Sequence, residues 1–224
     1  MTATDSRSEV LRRIRAALGD RPGADPRPAP DPAAIPRAYL AVHADRTPEQ
    51  RTDLLAENLA DYRAHVHHCT ADGLAGTLAR LLAERGSRTA VVPPGLSRDW
   101  LTSITGTDIL GDEPALTAHQ LDAVDSVITA CALAIAETGT LVLDASPDQG
   151  RRILSLVPDH HICIVHAPEQ VVTSLPRAMP RLDPRKPMTW ISGPSATSDI
   201  ELDRVEGVHG PRTLDVVLVG GGAG

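Results

Sequence analysis

Several residue types are scarce or missing in this sequence of 224 residues. It contains no phenylalanine, and aromatic residues make up only 2% of the chain. A surface that stacks nucleic-acid bases on aromatic rings is therefore not expected. The apolar fraction of 42% is close to that of globular proteins, so the core must be built from leucine, valine, isoleucine and alanine.

Basic residues are outnumbered by acidic residues. Asp and Glu number 29 against 22 Lys and Arg, which gives a formal net charge of −7. That balance argues against a general binder of nucleic acid or of anionic membranes. Lys186 is the only lysine, and because Pro184 and Pro187 flank it, it is a poor candidate for Schiff-base chemistry.

The cysteines are few and carry no recognisable motif. Cys69, Cys131 and Cys163 are widely spaced, which predicts neither a disulfide framework nor an iron–sulfur site and fits a reducing compartment. No apolar run approaches the ~20 residues of a membrane span. Residues 1–15 lack the apolar core of a signal peptide. We therefore expect a cytoplasmic protein.

The beginning of the chain differs in composition from the rest. Residues 1–19 place apolar side chains at helical spacing and predict a short amphipathic helix. Residues 20–38 contain six prolines and predict an extended linker. Residues 39–219 form the predicted α/β domain, and residues 220–224 are a glycine-rich tail.

The main body alternates predicted strands and helices. A capping-box pattern at Thr47–Gln50 starts a helix that ends near Arg63, and residues 71–85 predict another helix. Residues 65–69 and 89–92 predict short strands. This alternation predicts an α/β fold, with a mostly parallel sheet and helices on both faces.

Later segments complete the predicted sheet. Residues 124–144 are the richest apolar stretch and predict two strands joined by a tight turn at Glu137–Thr140. Residues 168–180 predict a helix. Further strands are expected at 162–165, 188–192 and 214–219.

A loop rich in hydroxyl groups follows the predicted strand 188–192. Such a loop offers backbone N–H groups and hydroxyls to an anion, at the carboxyl end of a strand where α/β proteins usually bind ligands. It lacks the G-K-[ST] element of a Walker loop. The alternative is an ordinary Ser/Thr-rich turn with Asp199 as a local acceptor. The candidate anion-binding residues are Gly193, Ser195, Thr197, Ser198 and Asp199.

The turn Glu137–Thr140 is a second candidate, because it places a carboxylate between two apolar strands. Burial would raise the pKa of Glu137 and suit a general base or a nucleophile, so Glu137 is the candidate catalytic residue. Alternatively, Glu137 ends a strand and faces water. Thr138, Gly139 and Thr140 are candidate ligand-binding residues of the same turn.

Histidines supply the remaining candidates. His209 precedes Gly210, and glycine lets a backbone approach a ligand that the imidazole could bind. The alternative is a rigid loop with a surface histidine.

A zinc site on the strand at 65–69 is also considered. His65, His67 and Cys69 share one face of this strand, but one strand rarely converges three ligands on an ion, so no metal site is expected. His160 and His161 are interpreted as an ordinary pair that precedes a strand.

Four motifs in this order resemble the LUD domain family. Ile128–Leu143 is similar to its central AETGT signature, and Val157–Ile162 fits its P-x-x-H segment before a strand. Ile191–Glu201 and Gly207–Pro211 resemble its two C-terminal signatures. The N-terminal helix and the proline-rich linker resemble the layout of LutC-type members.

The resemblance implies a fold like that of the NagB/RpiA/CoA-transferase superfamily and a role in lactate utilisation. LutC-type proteins act with two iron–sulfur proteins, LutA-like and LutB-like, in oxidising L-lactate to pyruvate. The resemblance thus implies an accessory subunit with no cofactor of its own and with the iron–sulfur clusters in its partners.

Two other functions stay open at this point. The chain could be an enzyme acting on a CoA thioester or a phosphorylated small molecule, with Glu137 as nucleophile in an E-x-G context similar to that of CoA transferases. It could also be a non-catalytic module that binds a carboxylate or phosphate through Ser195 and His209. If the three loops converge, they would form a small anion pocket at the carboxyl edge of the sheet, fit for lactate, pyruvate or phosphate.

Overall fold

The computed structural model divides the chain into two units, Met1–Tyr39 and Leu40–Gly224. The residues described are 3–17, 31–36, 38, 40–197, 205–206 and 210–220. In the first unit, helix α1 spans Ala3–Ala17 and a short 3-10 turn spans Pro32–Ala34. Most of the proline-rich stretch lies outside the described residues.

The second unit contains the sheets and the remaining described helices. Its strands are β1 His65–Cys69, β2 Thr89–Val92, β3 Asp108–Gly111, β4 Ser126–Ala130, β5 Leu133–Ile135, β6 Thr140–Leu143, β7 His160–His166, β8 Val171–Val172, β9 Thr189–Ile191, β10 Ala196–Thr197, β11 Val205–Glu206 and β12 Thr213–Val219. Its helices are α2 Pro48–Asp61, α3 Leu74–Arg85, α4 Ala118–Asp122 and α5 Leu175–Ala178, with 3-10 turns at Arg98–Leu101, Ala136–Thr138, Arg152–Ser155 and Met179–Arg181.

A six-stranded parallel sheet forms the centre of this unit, in the order β1-β12-β7-β4-β2-β3. Because side chains alternate along a strand, β7 and β12 supply a layer to each face of the sheet. One layer packs with α2 and contains Cys163, Val165, Leu214 and Val216. The other packs with α3 and contains Ile162, Ile164, Val217 and Val219. The predicted α/β class, with helices on both faces, is confirmed.

Local sequence explains where helix α2 begins and where helix α3 ends. At the start of α2, Thr47 Oγ1 accepts from the Gln50 N–H at 3.3 Å, and Gln50 Oε1 accepts from the Thr47 N–H at 3.0 Å. This is the predicted capping box. Helix α2 buries Leu55 and Leu59. Helix α3 ends at Gly86, whose φ of 71° closes the helix in the left-handed conformation that glycine adopts without strain.

A smaller sheet, in the order β8-β5-β6-β9, covers part of the face that carries α2. Two strands are predicted across residues 124–144, but three strands, β4, β5 and β6, lie there. The chain leaves the central sheet after β4, and the Ala132 N–H donates to the Val142 carbonyl at 2.8 Å as the smaller sheet begins. The sequence does not show that the chain passes from one sheet to the other, because the stretch is apolar throughout and is buried in both sheets.

The helix predicted over 168–180 is also wrong. Val171 and Val172 pair with β5 as strand β8, and only Leu175–Ala178 is α-helical. β-Branched side chains favour a strand once a neighbouring edge is available for pairing. No helix among the described residues has both the length and the apolar character that a membrane span requires.

Candidate functional site

The turn that carries the AETGT sequence packs directly on helix α2. Gly139 has a φ of 55°, and a Cβ at this position would lie 2.9 Å from the carbonyl carbon of Asn58. Asn58 Nδ2 donates to the Ala136 carbonyl at 2.7 Å. The close approach and the positive φ together explain the glycine here.

The Glu137 carboxylate faces the segment 40–47 that precedes α2. Its side chain is only 12% exposed. Oε1 accepts from the His43 backbone N–H at 3.0 Å, and Oε2 accepts from His43 Nδ1 at 2.8 Å. Arg46 Nη1, which is buried and has no hydrogen-bond partner among the described residues, lies 3.6 Å from Oε1. Both carboxylate oxygens are thus engaged by one segment.

The expected rise in the pKa of Glu137 is wrong. Burial opposes ionisation, but the hydrogen bonds from His43 and the charge of Arg46 outweigh it and lower the pKa below the usual 4.5. The alternative of a water-facing Glu137 is also wrong, because the carboxylate is covered. An ionised, fully bonded carboxylate is well suited to anchoring the segment 40–47. A catalytic role of Glu137 stays a prediction.

Glu137→Gln is expected to lower the free energy of unfolding by about 1–3 kcal/mol at pH 7, because the negative charge and one of the two acceptor oxygens are lost. Urea denaturation followed by circular dichroism measures this. A carboxyl with a lowered folded pKa stabilises the fold above its unfolded pKa and loses that contribution as pH falls through the folded value. The difference from wild type should therefore shrink below about pH 4.5.

Glu169→Gln is the matched control, since Glu169 is exposed. It should unfold at the wild-type urea concentration. Equal midpoints for the Glu137 and Glu169 variants at pH 7 would rule out the anchoring role.

Hydroxyl groups connect this turn to the Ser192 loop, which comprises the described residues 192–195 after strand β9. Thr140 Oγ1 lies 2.8 Å from both Thr138 Oγ1 and Ser192 Oγ. The contact follows from the antiparallel pairing of β6 with β9, which places Leu141 opposite Ile191. The turn and the loop, about 50 residues apart in sequence, are therefore neighbours.

The Ser192 loop is held by two backbone contacts. Gly193 has a φ of 85°, and a Cβ there would overlap with the carbonyl oxygen of Tyr62 at the end of α2. The Ser195 N–H donates to the Pro211 carbonyl at 2.8 Å. A Cβ on Gly210 would lie 3.7 Å from the Cβ of Ser195. The loop is thus fixed between α2 and the segment that leads into β12.

The predicted site residues divide into three groups. Thr138, Gly139, Thr140, Gly193, Ser195 and Gly210 come together at one end of the smaller sheet. The Glu137 carboxylate turns away to the segment 40–47. Ser198, Asp199 and His209, and the side chain of Thr197, lie outside the described residues.

A cavity of about 270 Å³ lies beside the Ser192 loop. Strand β9 and residues 192–195 form one wall, and Gly210 and Pro211 form part of the rim. The central sheet contributes His161 and Leu214, which lie near the amino ends of β7 and β12. The expected position at the carboxyl edge is therefore wrong. Strand β9 belongs to the smaller sheet, so its end does not share the carboxyl edge of the central sheet.

Sequence reasoning missed His161 as a member of this site. Its ring is 1% exposed and lines the cavity, and its Nε2 lies 2.8 Å from Thr129 Oγ1. Burial, assisted by the charge of His160, lowers the pKa of His161 to about 3, so the imidazole is neutral near pH 7. The alternation along β7 does separate His161 from His160, but it does not indicate a cavity.

His160 belongs to a separate, buried chain of polar side chains. Its Nδ1 lies 2.8 Å from Ser126 Oγ, and its Nε2 lies 2.7 Å from Asp215 Oδ2. Ser87 Oγ lies 2.6 Å from Ser126 Oγ, and His67 Nε2 lies 2.6 Å from Asp215 Oδ1. A Ser–His–Asp order is also found in hydrolases, but Ser126 is 0% exposed, so a substrate has no access to it. We therefore interpret this buried row of hydrogen-bonded side chains as structural.

The carboxylate of Asp215 is the ionised end of this chain. Burial opposes its ionisation, yet the hydrogen bonds from His160 and His67 outweigh burial and lower its pKa below 3.8. His65 Nδ1 is 3.6 Å from the same carboxylate. Among the described residues, no group of three His, Cys, Asp or Glu side chains is arranged to hold a metal ion.

The carboxyl edge of the central sheet carries a wider, acidic cleft of about 650 Å³. Glu49 and Asp53 line it together with Cys69 and Thr70, which lie at the end of β1. Burial raises the pKa of the Cys69 thiol, so a reactive thiolate is disfavoured. Carboxylates in this cleft repel an anionic ligand.

Comparison of the sequence and the fold with known proteins identifies the family. The family model of the LUD domain matches residues 52–219. The chain belongs to the LUD domain family. This LUD protein is 43% identical over 224 residues to the lactate utilization protein C of Deinococcus radiodurans, with 98% of each chain covered. The resemblance expected from the four motifs is confirmed.

Two further similarities support this assignment. A lactate utilization protein C of Geobacillus kaustophilus is 31% identical over 172 residues, which is 67% of this chain and 70% of that relative. The crystal structure of a DUF162 family protein from Deinococcus radiodurans superposes with a TM-score of 0.66 at 39% identity. It covers 79% of this LUD protein and 100% of its own chain.

Proposed function

We propose that this LUD protein takes part in lactate utilisation, as an accessory subunit that acts with iron–sulfur proteins in oxidising L-lactate to pyruvate. The observation that carries the proposal is the 43% identity, over 98% of both chains, to a protein named for lactate utilisation. Similarity of that extent includes the N-terminal segment as well as the LUD domain.

The cysteines support the placement of redox centres in other subunits. Common iron–sulfur clusters are held by four thiolates, whereas this chain has three cysteines. Cys131 and Cys163 are buried in the core, and the pKa of Cys131 is raised well above its usual value by its contact with Cys163 and by burial. LutA-like and LutB-like proteins are the proposed carriers of the clusters.

An affinity purification from lactate-grown cells tests the proposal. The tagged full-length chain should co-purify with iron–sulfur proteins identified by mass spectrometry, and the eluate should contain iron and oxidise L-lactate. The control is the same tagged chain from cells grown without lactate. An iron-free eluate without activity, together with normal growth of a deletion strain on lactate, would contradict the accessory role.

The geometry gives less support to an enzyme of CoA-transferase type. A nucleophilic Glu137 would need a free carboxylate oxygen, but His43 bonds to both oxygens. A ligand-binding role has a specific observation in its favour, namely the cavity between the Ser192 loop and His161. That role is compatible with an accessory subunit.

A further inference from the structure

We propose that the cavity beside His161 binds a small monocarboxylate of the 2-hydroxy acid or 2-oxo acid class. The identity of the acid rests on the proposed function in lactate utilisation, whereas the site itself rests on the cavity. Its volume of about 270 Å³ lies just below the ~300–1,000 Å³ of pockets for drug-sized ligands. The space suits a ligand of few heavy atoms.

His161 presents a single hydrogen-bonding atom to this cavity. Its Nε2 lies 2.8 Å from Thr129 Oγ1 and the residue lines the cavity, so Nδ1 is the ring atom assigned to the ligand in this proposal. The ring therefore offers a site for one polar atom of a bound molecule.

Thr129 determines which proton His161 carries. The Thr129 side chain is 0% exposed, and Nε2 is the one acceptor for its hydroxyl proton among the described residues. In the proposed arrangement the hydroxyl donates to Nε2, and the proton of the neutral imidazole resides on Nδ1. The cavity is thereby given an N–H donor, which fits a carboxylate, carbonyl or hydroxyl oxygen.

The other residues that line the cavity indicate which class of ligand it fits. Thr189 adds a hydroxyl group, and none of the described lining residues is a Lys, Arg, Asp or Glu. A phosphate dianion is usually held by Arg or Lys, so a monoanion fits this wall better. Leu156, Ile191 and Leu214 supply aliphatic surface for a short carbon chain. A carboxylate, a second oxygen and a methyl group together match this lining.

The wall is held in position before a ligand arrives. Gly193 is confined by Tyr62, and the Ser195 N–H is bonded to Pro211. A preorganised loop lowers the entropic cost of binding. Because the ligand is small and no cation is present in the described wall, we expect a dissociation constant of about 1 mM.

The test is a titration of the purified, ¹⁵N-labelled full-length protein with sodium L-lactate or sodium pyruvate, followed by NMR. Inorganic phosphate serves as the comparison anion. Saturable shifts at the Ser192 loop, with a shift of the His161 Nδ1 resonance on binding, are expected. The imidazole ¹⁵N shifts of the free protein should identify the Nδ1–H form. Affinity should stay constant between about pH 5.5 and pH 8, because a neutral His161 does not titrate in this range.

His161→Leu should weaken binding at least tenfold, whereas the matched control His166→Leu should bind as wild type. His166 lies at the other end of β7 and does not line the cavity. The NMR measurements on the wild-type protein remain decisive if His161→Leu does not fold. No saturable binding of lactate or pyruvate up to about 50 mM, an Nε2–H form of His161, or tighter binding of phosphate would overturn the proposal.

The failure of this inference is distinguishable from the failure of the proposed function. A chain that co-purifies with iron–sulfur proteins but binds no acid would overturn the cavity assignment alone. A chain that binds lactate at this cavity but has no iron–sulfur partner would overturn the accessory role alone.

Discussion

Asp215→Ala is expected to destabilise the protein by about 3–5 kcal/mol, because it removes the charged acceptor of a buried polar chain. His160 is 0% exposed, so its Nε2–H would be left without a partner and without water. His67 would lose its partner as well. Leaving a buried donor unsatisfied costs the full desolvation penalty of that group.

Urea denaturation of Asp215→Ala and of the control Asp108→Ala measures this effect. Asp108 is exposed on strand β3, and its replacement should change the free energy of unfolding by less than about 0.5 kcal/mol. Asp215→Val combined with His160→Leu should recover part of the loss, since it removes the fully buried imidazole that Asp215→Ala leaves unpaired. A midpoint for Asp215→Ala equal to that of Asp108→Ala would show that the buried chain adds no stability.

The pH dependence of this contribution has a defined sign. The folded pKa of Asp215 is lowered, so its contribution is complete above the usual value of 3.8 and is lost as pH falls through the folded value. The wild type should therefore approach the stability of Asp215→Ala only below about pH 3.8.

The second large effect is expected at Gly193. Gly193→Ala should cost about 2–5 kcal/mol, from the left-handed backbone together with the backbone shift that relieves an overlap. The φ of 85° disfavours any L side chain, and the added Cβ would meet the carbonyl oxygen of Tyr62. Because the nearest atom belongs to the backbone, it has little freedom to move away.

Gly76→Ala is the matched control and should have the opposite sign. Gly76 lies in helix α3, and a Cβ there meets nothing within 4 Å. Alanine is favoured over glycine in a helix by about 0.5–1 kcal/mol, so this variant should be more stable than wild type. Thermal or urea unfolding of both variants measures the difference. Equal stabilities would contradict the steric argument at Gly193.

Much of the fold follows from local patterns in the sequence. The capping box at Thr47 and the short apolar runs in β7 and β12 are local signals, and the elements they predict are present. The apolar stretch 124–144 shows the limit of such signals. Strands of the central sheet and of the smaller sheet are both buried, so composition does not show that the chain changes sheets after β4.

The candidate site was harder to predict, because its contacts join distant segments. The turn motif identifies Glu137, but the bond to His43 spans 94 positions and determines where the carboxylate points. His161 has no motif of its own, and its role depends on Thr129 and on a cavity that the Ser192 loop lines. Such contacts arise from tertiary packing, which neither periodicity nor motif spacing encodes.

The buried polar chain also constrains how the strands of the central sheet can pair. Ser126 lies opposite His160, and the same face of β7 continues with Ile162 and Ile164. A slip of β7 by two residues would keep every side chain on its original face, and the apolar core would tolerate it. It would, however, place Ile162 opposite Ser126. The His160 side chain would then be separated from Ser126 and Asp215, its hydrogen-bond partners. The Ser126–His160–Asp215 chain therefore acts against misregistered parallel pairing during folding, a selectivity that a core of valine and isoleucine lacks.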